Sequence, residues 1–331
     1  MTTTVLVSGV SGYIGCHVAR ELLQQGFSVR GTVRSPEKTE QVREVLLQFT
    51  TYPAQISFAI VKDIGEPSAF DEAVVGVDYI IHTASPVHLG PVTDAKRELI
   101  DPAVNGTIGI LNSATKVPSI RRVVITSSVA AIRGNTSILP EGLSELDWNS
   151  DAVEAFEKDG IASYPASKTI AEQAAWNFVR DKKPSFDIAT INPSFVFGPA
   201  IHPCASTAAL NATVKIISDF YLFNTTQINP ASAAHYVDVR DVARAHVLAI
   251  TVPAASGQRF VVSNGSFTHE AIIAVLKKNF PGRPYATGST TATVYPVLNS
   301  KSLSVLGLGE YIPFEKMIVD TVNSIKARFN V

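Results

Sequence analysis

Cysteine is scarce in this chain: two in 331 residues, Cys16 and Cys204, with no CxxC pair. That excludes a disulfide framework, and a reducing, cytoplasmic setting is the expected one. Seven histidines show no metal-ligand spacing, so no metal centre is expected. Neither sign of charge is in excess. Lys and Arg total 28 against 29 Asp and Glu, a formal net charge of -1, so nothing draws the chain to nucleic acid or an anionic membrane. No apolar run is long enough to span a bilayer. The opening MTTTVLVSGVSGYIG lacks the basic start of a signal peptide. Repeats, low-complexity tracts and charge blocks are missing too. What remains is a chain 46% hydrophobic and 17% charged, the composition of a compact folded protein. Its length suits one large domain or two that share a boundary.

Strand-like and helix-like runs alternate through the first half, which predicts an α/β fold built on a parallel, doubly wound sheet of the Rossmann type. Residues 4–8 (TVLVS) form an apolar β-branched run that ends in GVSGYIG. A helical pattern of Ile14, Val18, Ala19, Leu22 and Leu23 follows, closed by Gly26. Strand, glycine turn and helix in that order are the setting of a dinucleotide site. Gly9 permits the tight turn, Gly12 lets backbone approach a pyrophosphate, and Gly15 lets helix pack close to strand. Ser11, Tyr13 and Ile14 complete the turn, whose free N–H groups face the phosphates.

The second strand, residues 28–34, ends in Arg34, with Ser35 and Lys38 close behind. An NAD site would place an acid there for the ribose 2′-hydroxyl. Two cations instead suit a 2′-phosphate, so NADPH is the expected cofactor; the other reading is surface charge at the start of a helix near Pro36. A third strand at 55–61 leads to Asp63 and Ile64, placed either to hold the adenine or, for Asp63, to cap a helix. The fourth strand, 77–82, runs into Thr83, Ala84 and Ser85, small residues over which a cofactor can lie. His82 ends that strand and reads as a buried, hydrogen-bonded histidine. On the helix expected at 95–114, Asn105 stands among apolar neighbours, a buried amide that either ties loops together or lines the site.

A fifth strand, 121–127, brings Ser127 and Ser128 to its carboxyl end, where either hydroxyl can cap a turn or face a crevice. After a polar, irregular segment at 134–160 comes SYPASK, opening a helix through TIAEQAAWNFV. Tyr164 and Lys168 lie four apart, on one helix face. A cation beside the phenol is expected to lower its pKa toward the working range and suit it to exchange a proton with an alcohol or carbonyl oxygen. The sixth strand, 186–191, leads to NPSFVFGP, and from there the rhythm loosens into long loops around one helix. Loops hung on a rigid sheet are where substrate selection usually sits. We expect a nucleotide-binding domain of residues 1–191 with about 228–254, and a smaller substrate domain of about 192–227 with 255–331.

GVSGYIG, TVRS with Lys38, HTASP, PAVNG, RVVITSS, YPASK with TIAEQAAW, INPSFVFGP and HYVDVRDVARAH together resemble the extended short-chain dehydrogenase/reductases. The likeness covers nearly the whole chain. Within that family it points to the dihydroflavonol-reductase-like group, in particular fungal NADPH-dependent carbonyl reductases of the methylglyoxal/isovaleraldehyde kind. The resemblance implies that Ser128, Tyr164 and Lys168 are catalytic and that Asn105 orders an active-site water. It also implies that Pro193 and Val196 flank the nicotinamide. The expected activity is NADPH-dependent reduction of aldehydes and ketones, keto esters and diketones included. Bulkier alternatives are a 3β-hydroxysteroid dehydrogenase-like or flavonoid-reducing enzyme; from another class, an NADPH-sensing protein without chemistry. Val87, Val129, Phe195 and Phe197 suggest a modest apolar pocket. The segment 204–224 is only loosely like its relatives, and the chain is expected as a monomer or homodimer.

Overall fold

The computed structural model describes residues 2–86, 93–132, 142–160, 162–292, 294 and 296–331. Seven parallel strands form its larger sheet. They are β1 (Thr4–Ser8), β2 (Ser28–Val33), β3 (Ile56–Ile60), β4 (Tyr79–His82), β5 (Arg122–Thr126), β6 (Asp187–Pro193) and, later in the chain, Arg259–Val262. Between those last two come β7 (Phe195–Phe197) and β8 (Ala233–Asp238), which makes Arg259–Val262 β9; β10 is Ser266–Thr268. The order across the large sheet is β3-β2-β1-β4-β5-β6-β9, so its direction reverses between β1 and β4. That reversal leaves a crevice at the carboxyl ends of the two strands, where doubly wound sheets take their ligands.

Successive side chains of a strand point to opposite faces, and the two cores follow from that alternation. Val5 and Val7 of β1 join one core while Leu6 joins the other; Ile81 and Ile80 of β4 divide the same way. On the first face lie the helices Tyr13–Gln24 and Val239–Thr251; Asp101–Thr115 and Ser163–Lys182 cover the second. Both faces are thus apolar, which is why the strands read as continuous Val/Ile/Leu runs. At the amino end of the sheet Arg122 pairs with Asp187 and donates to the carbonyls of Ala249 and Val252 at 2.7 and 2.8 Å. The sheet is thereby tied to the end of a covering helix.

The small sheet, β10-β8-β7, gathers a third core with the helices Ala212–Tyr221, His269–Asn279 and Phe314–Phe329. It corrects the expected boundaries at two places. β9, expected in the smaller unit, is an edge strand of the large sheet, pairing Thr190 with Arg259. β8, expected in the nucleotide-binding unit, belongs to the small sheet, pairing with β7 and β10. The helix Ser150–Asp159 lies inside the segment expected to be irregular. Asn149 caps it through Ala152 N at 3.1 Å and Gly160 closes it at φ 66°, but Ala152 is its one buried residue, so no apolar stripe announces it. No described helix is long and apolar enough to cross a membrane.

Four histidines are held neutral, in each case first by burial: His17 and His82 at about 3, His202 and His246 at about 4. Their folded values lie below the ordinary 6.5, so the unfolded chain binds more protons across that window and stability falls as pH drops from about 6.5. Asp241, raised to about 6 chiefly by burial, acts in the opposite sense. Each histidine costs about 1.4 kcal/mol per pH unit in that range, and four outweigh one. Thermal unfolding at pH 5 is therefore expected at a clearly lower temperature than at pH 7; equal values would contradict this account.

Candidate active site

The glycine turn joins β1 to the helix Tyr13–Gln24. Gly9 has φ 67°, and a Cβ there would stand 3.1 Å from Ala84, on the loop after β4. A Cβ on Gly15 would meet the Gly9 carbonyl oxygen at 2.5 Å and Thr83 Oγ1 at 2.8 Å. So Gly9 keeps the turn tight and Gly15 lets helix and loop close on it. Gly12 is the exposed N-cap and has no side chain with which to satisfy the helix's first N–H groups. These donors are open to an anion, with Ser11 and Ile14 part-exposed beside them. Tyr13 differs: its side chain is buried and its hydroxyl donates to Gly198 O at 2.9 Å. Only its backbone is left for a ligand, while the ring holds the turn to the segment after β7.

The loop after β4 is fixed by β1. Ser8 Oγ accepts from the N–H groups of Thr83 and Ala84 at 3.0 and 3.1 Å and lies 2.8 Å from His82 Nδ1; Thr83 Oγ1 donates to Ser8 O at 2.6 Å. The expected reading of His82 as a satisfied core residue holds. At the end of β2, Arg34 is exposed and no described residue forms an ion pair with it; Lys38, exposed, donates to Gln41 at 2.9 Å. Glu37 also stands in this first helical turn, an acid the sequence reading passes over. It hydrogen-bonds Ser35, which holds its carboxyl below the usual range. Asp63 is exposed and accepts from Gly65 N at 2.8 Å, so it closes a turn while keeping its second oxygen; Ile64 packs under Gly106.

Ser128, Tyr164 and Lys168 come together at the carboxyl ends of β4 and β5. The two serines divide their work: Ser127 is buried and donates to Glu172 at 2.5 Å, whereas Ser128 is part-exposed, accepts from Ala130 N at 3.0 Å and hydrogen-bonds the Tyr164 phenol. The helix carrying Tyr164 begins after Ala162, a non-glycine residue at φ 58°. Lys168 Nζ lies 5.8 Å from the centre of the Tyr164 ring and donates to Ser85 Oγ at 3.0 Å. A small pocket behind it is lined by His82, Ser85, Thr107, Thr126, Ser127 and Glu172.

Electrostatics correct one expectation. Burial raises the Tyr164 pKa and the Ser128 hydroxyl opposes the shift; Lys168 does not bring it down. The reason lies in the geometry, since the ammonium sits by the ring and Ser85. Lys168 is itself lowered to about 8 by burial, with Glu172 pulling the other way. The phenol is therefore protonated at neutrality, the state of a proton donor.

Asn105 is exposed, not the buried amide expected, and its Cβ would stand 3.9 Å from a Cβ on Gly65. It lies against the turn after β3, while Thr107 enters the pocket with Lys168. Pro193 and Val196 are both buried, Val196 within the first core. Of the residues expected in the substrate pocket, Val87 lies outside the described residues. Val129 is buried against Ile132, Leu143 and Val261. Phe195 is 42% exposed, but Phe197 is fully buried with its ring 5.0 Å from that of Phe267. Phe197 thus belongs to the small core and not to an open surface. Glu172 and Arg259, both buried beneath the site, carry no signal in the sequence beyond the spacing of Glu172, four residues from Lys168.

With this geometry in place, the comparisons with known proteins define the class. Residues 5–263 match the NAD dependent epimerase/dehydratase family, and the chain belongs to it, as an extended short-chain dehydrogenase/reductase. An uncharacterised oxidoreductase of Schizosaccharomyces pombe is 47% identical over 284 residues, 84% of this chain and 83% of its own. The NADPH-dependent methylglyoxal reductase of Saccharomyces cerevisiae is 34% identical over 341 residues, 97% of this chain and 98% of its own. The crystal structure of yeast methylglyoxal/isovaleraldehyde reductase complexed with NADPH superposes with a TM-score of 0.86 at 31% identity, covering 98% of each chain.

Gly15→Ala tests the turn. Its Cβ has backbone on one side, so the variant should lose about 1–3 kcal/mol of stability and much of its affinity for a dinucleotide. Unchanged melting and binding would show that the close approach of helix and loop is not needed.

Proposed function

We propose that this chain reduces aldehydes and ketones, keto esters and diketones among them, to alcohols, with Tyr164 as the proton donor. It is an oxidoreductase that works with NADPH, as its named relatives do. The observation that carries the reading is the meeting of Ser128, Tyr164 and Lys168 at the mouth of a crevice whose floor is Thr83, Ala84 and Ser85. The glycine turn fits the cofactor's pyrophosphate, offering uncapped N–H groups and no side chain in the way. Bound there, NADPH supplies the hydride that the carbonyl carbon accepts.

The protein's own part is then to place the carbonyl and manage its charge. Ser128 Oγ donates a hydrogen bond to the carbonyl oxygen. Tyr164, protonated at neutrality, gives its proton to that oxygen as negative charge develops. Lys168, charged below about pH 8, offers N–H donors to the ribose. Arg34 and Lys38 are exposed on the surface to hold a 2′-phosphate, and no acid occupies the end of β2. Asn105 stands too far into solvent for a buried role, so its part would be to hold water beside the Asp63 turn. The expected setting is the cytoplasm, in keeping with two unbridged cysteines.

Tyr164→Phe should bind NADPH as well as the native protein does and turn over at least about 100-fold more slowly. Near-native turnover would remove Tyr164 from the reaction. Arg34→Ala should raise the KM for NADPH about tenfold or more, the worth of a charge-assisted hydrogen bond, and leave that for NADH nearly alone. Equal effects on the two cofactors would refute the 2′-phosphate assignment.

A further inference from the structure

The helix that carries Tyr164 and Lys168 continues the same face one turn deeper with Glu172, which is 2% exposed. Every direction around its carboxylate is filled by a donor. Oε1 accepts from Thr190 Oγ1 at 3.0 Å, Arg259 Nε at 2.6 Å and Trp176 Nε1 at 3.2 Å. Oε2 accepts from Ser127 Oγ at 2.5 Å and Asn192 Nδ2 at 2.8 Å. Two of these donors reach the reacting serine: Ser127 is its chain neighbour, and the Asn192 amide also donates to Ser128 O at 3.3 Å. Behind Glu172, Arg259 donates to the carbonyls of Glu145 and Asp147 at 2.7 Å each and lies 3.7 Å over the Trp148 ring.

We propose that Glu172, held by Arg259, is a positioning residue that fixes Ser128 against Tyr164 and Lys168. The proposal rests on the assignment of those three as the catalytic group. One carboxylate joins the catalytic helix to the ends of β5, β6 and β9, so the separation of Ser128 from Tyr164 is set through it. A buried ion pair is weak evidence for stability alone, because well-packed apolar residues would often serve as well. Its place beneath the serine and the lysine gives it a second use. The charged and titratable groups facing Lys168 are His82 from β4, and Tyr164 and Glu172 from its own helix; His82 is held neutral by burial. Glu172 is thus the one negative neighbour among the described residues that holds Lys168 up to about 8.

The test is a set of full-length variants assayed for NADPH-dependent carbonyl reduction across pH, with NADPH affinity and melting temperature alongside. Glu172→Gln should lower kcat by about 10- to 100-fold, as misplacement of a reacting group does, and leave NADPH affinity nearly intact. Its activity should also fail at lower pH than that of the native protein, since Lys168 loses its proton sooner. Glu172→Asp keeps the charge but shortens the reach, so kcat should fall while the alkaline limb stays in place. If Glu172→Gln does not fold, Glu172→Gln/Arg259→Gln removes both charges and should show the same shift of the limb. Native kcat and an unmoved limb would overturn the proposal; so would a lower melting temperature as the sole change. Tyr164→Phe separates the two levels. Loss of turnover there beside a normal Glu172→Gln sinks only this inference, and normal turnover in Tyr164→Phe sinks the catalytic assignment beneath it.

Discussion

The helix Ser163–Lys182 has to bury a polar stripe against an apolar sheet. Tyr164, Lys168, Glu172 and Trp176 follow one another at intervals of four, so all four project from one face. Water is excluded from most of that face, and each group must find its partner in the protein. Tyr164 has Ser128, Lys168 has Ser85, and Glu172 has Arg259 with four neutral donors. The arrangement grades from a phenol at the crevice to a carboxylate in the core. Much else in the fold exists to meet these demands: β9 brings Arg259, β6 brings Thr190 and Asn192, and the end of β5 brings both serines.

Charge and burial work against one another in this stripe, and the balance decides the chemistry. Desolvation raises the phenol of Tyr164 and lowers the ammonium of Lys168, so each group is pushed toward its neutral form. A protonated donor beside a cation that is easily neutralised is a fitting arrangement for carbonyl reduction near neutral pH. The cofactor side follows a different economy. There the glycine turn leaves helix N–H groups bare, and an anion satisfies what no side chain does.

Local patterns made much of this visible in advance. The glycine turn, the Tyr164–Lys168 spacing and the helix Tyr13–Gln24 can be read from residues alone, because each depends on neighbours close in the chain. The strands of the large sheet agree to within a residue or two for the same reason. Three kinds of feature were not legible. β7 and β10 have three residues each, too few for alternation to show. Phe195 and Phe197 look alike in sequence and both rings meet Phe267, yet one stays 42% exposed and the other is buried in the small core, which is decided by residues far along the chain. Glu172 gives no sign of its burial until Arg259, 87 residues on, is brought against it. The HYVDVRDVARAH segment, taken as a family signature, is a structural joint: Asp238 caps its helix and Arg240 bridges Asp238 to Asp320.

The central claim is that a hydride passes from NADPH to a carbonyl carbon held at Ser128 and Tyr164. Its most direct measurement is turnover of small aldehydes and ketones with NADPH carrying deuterium at the transferring position of the nicotinamide. The expected product is an alcohol with one deuterium on its carbinol carbon, formed with NADPH in strong preference to NADH. An NADPH complex that forms tightly and labels no product from any carbonyl would contradict it.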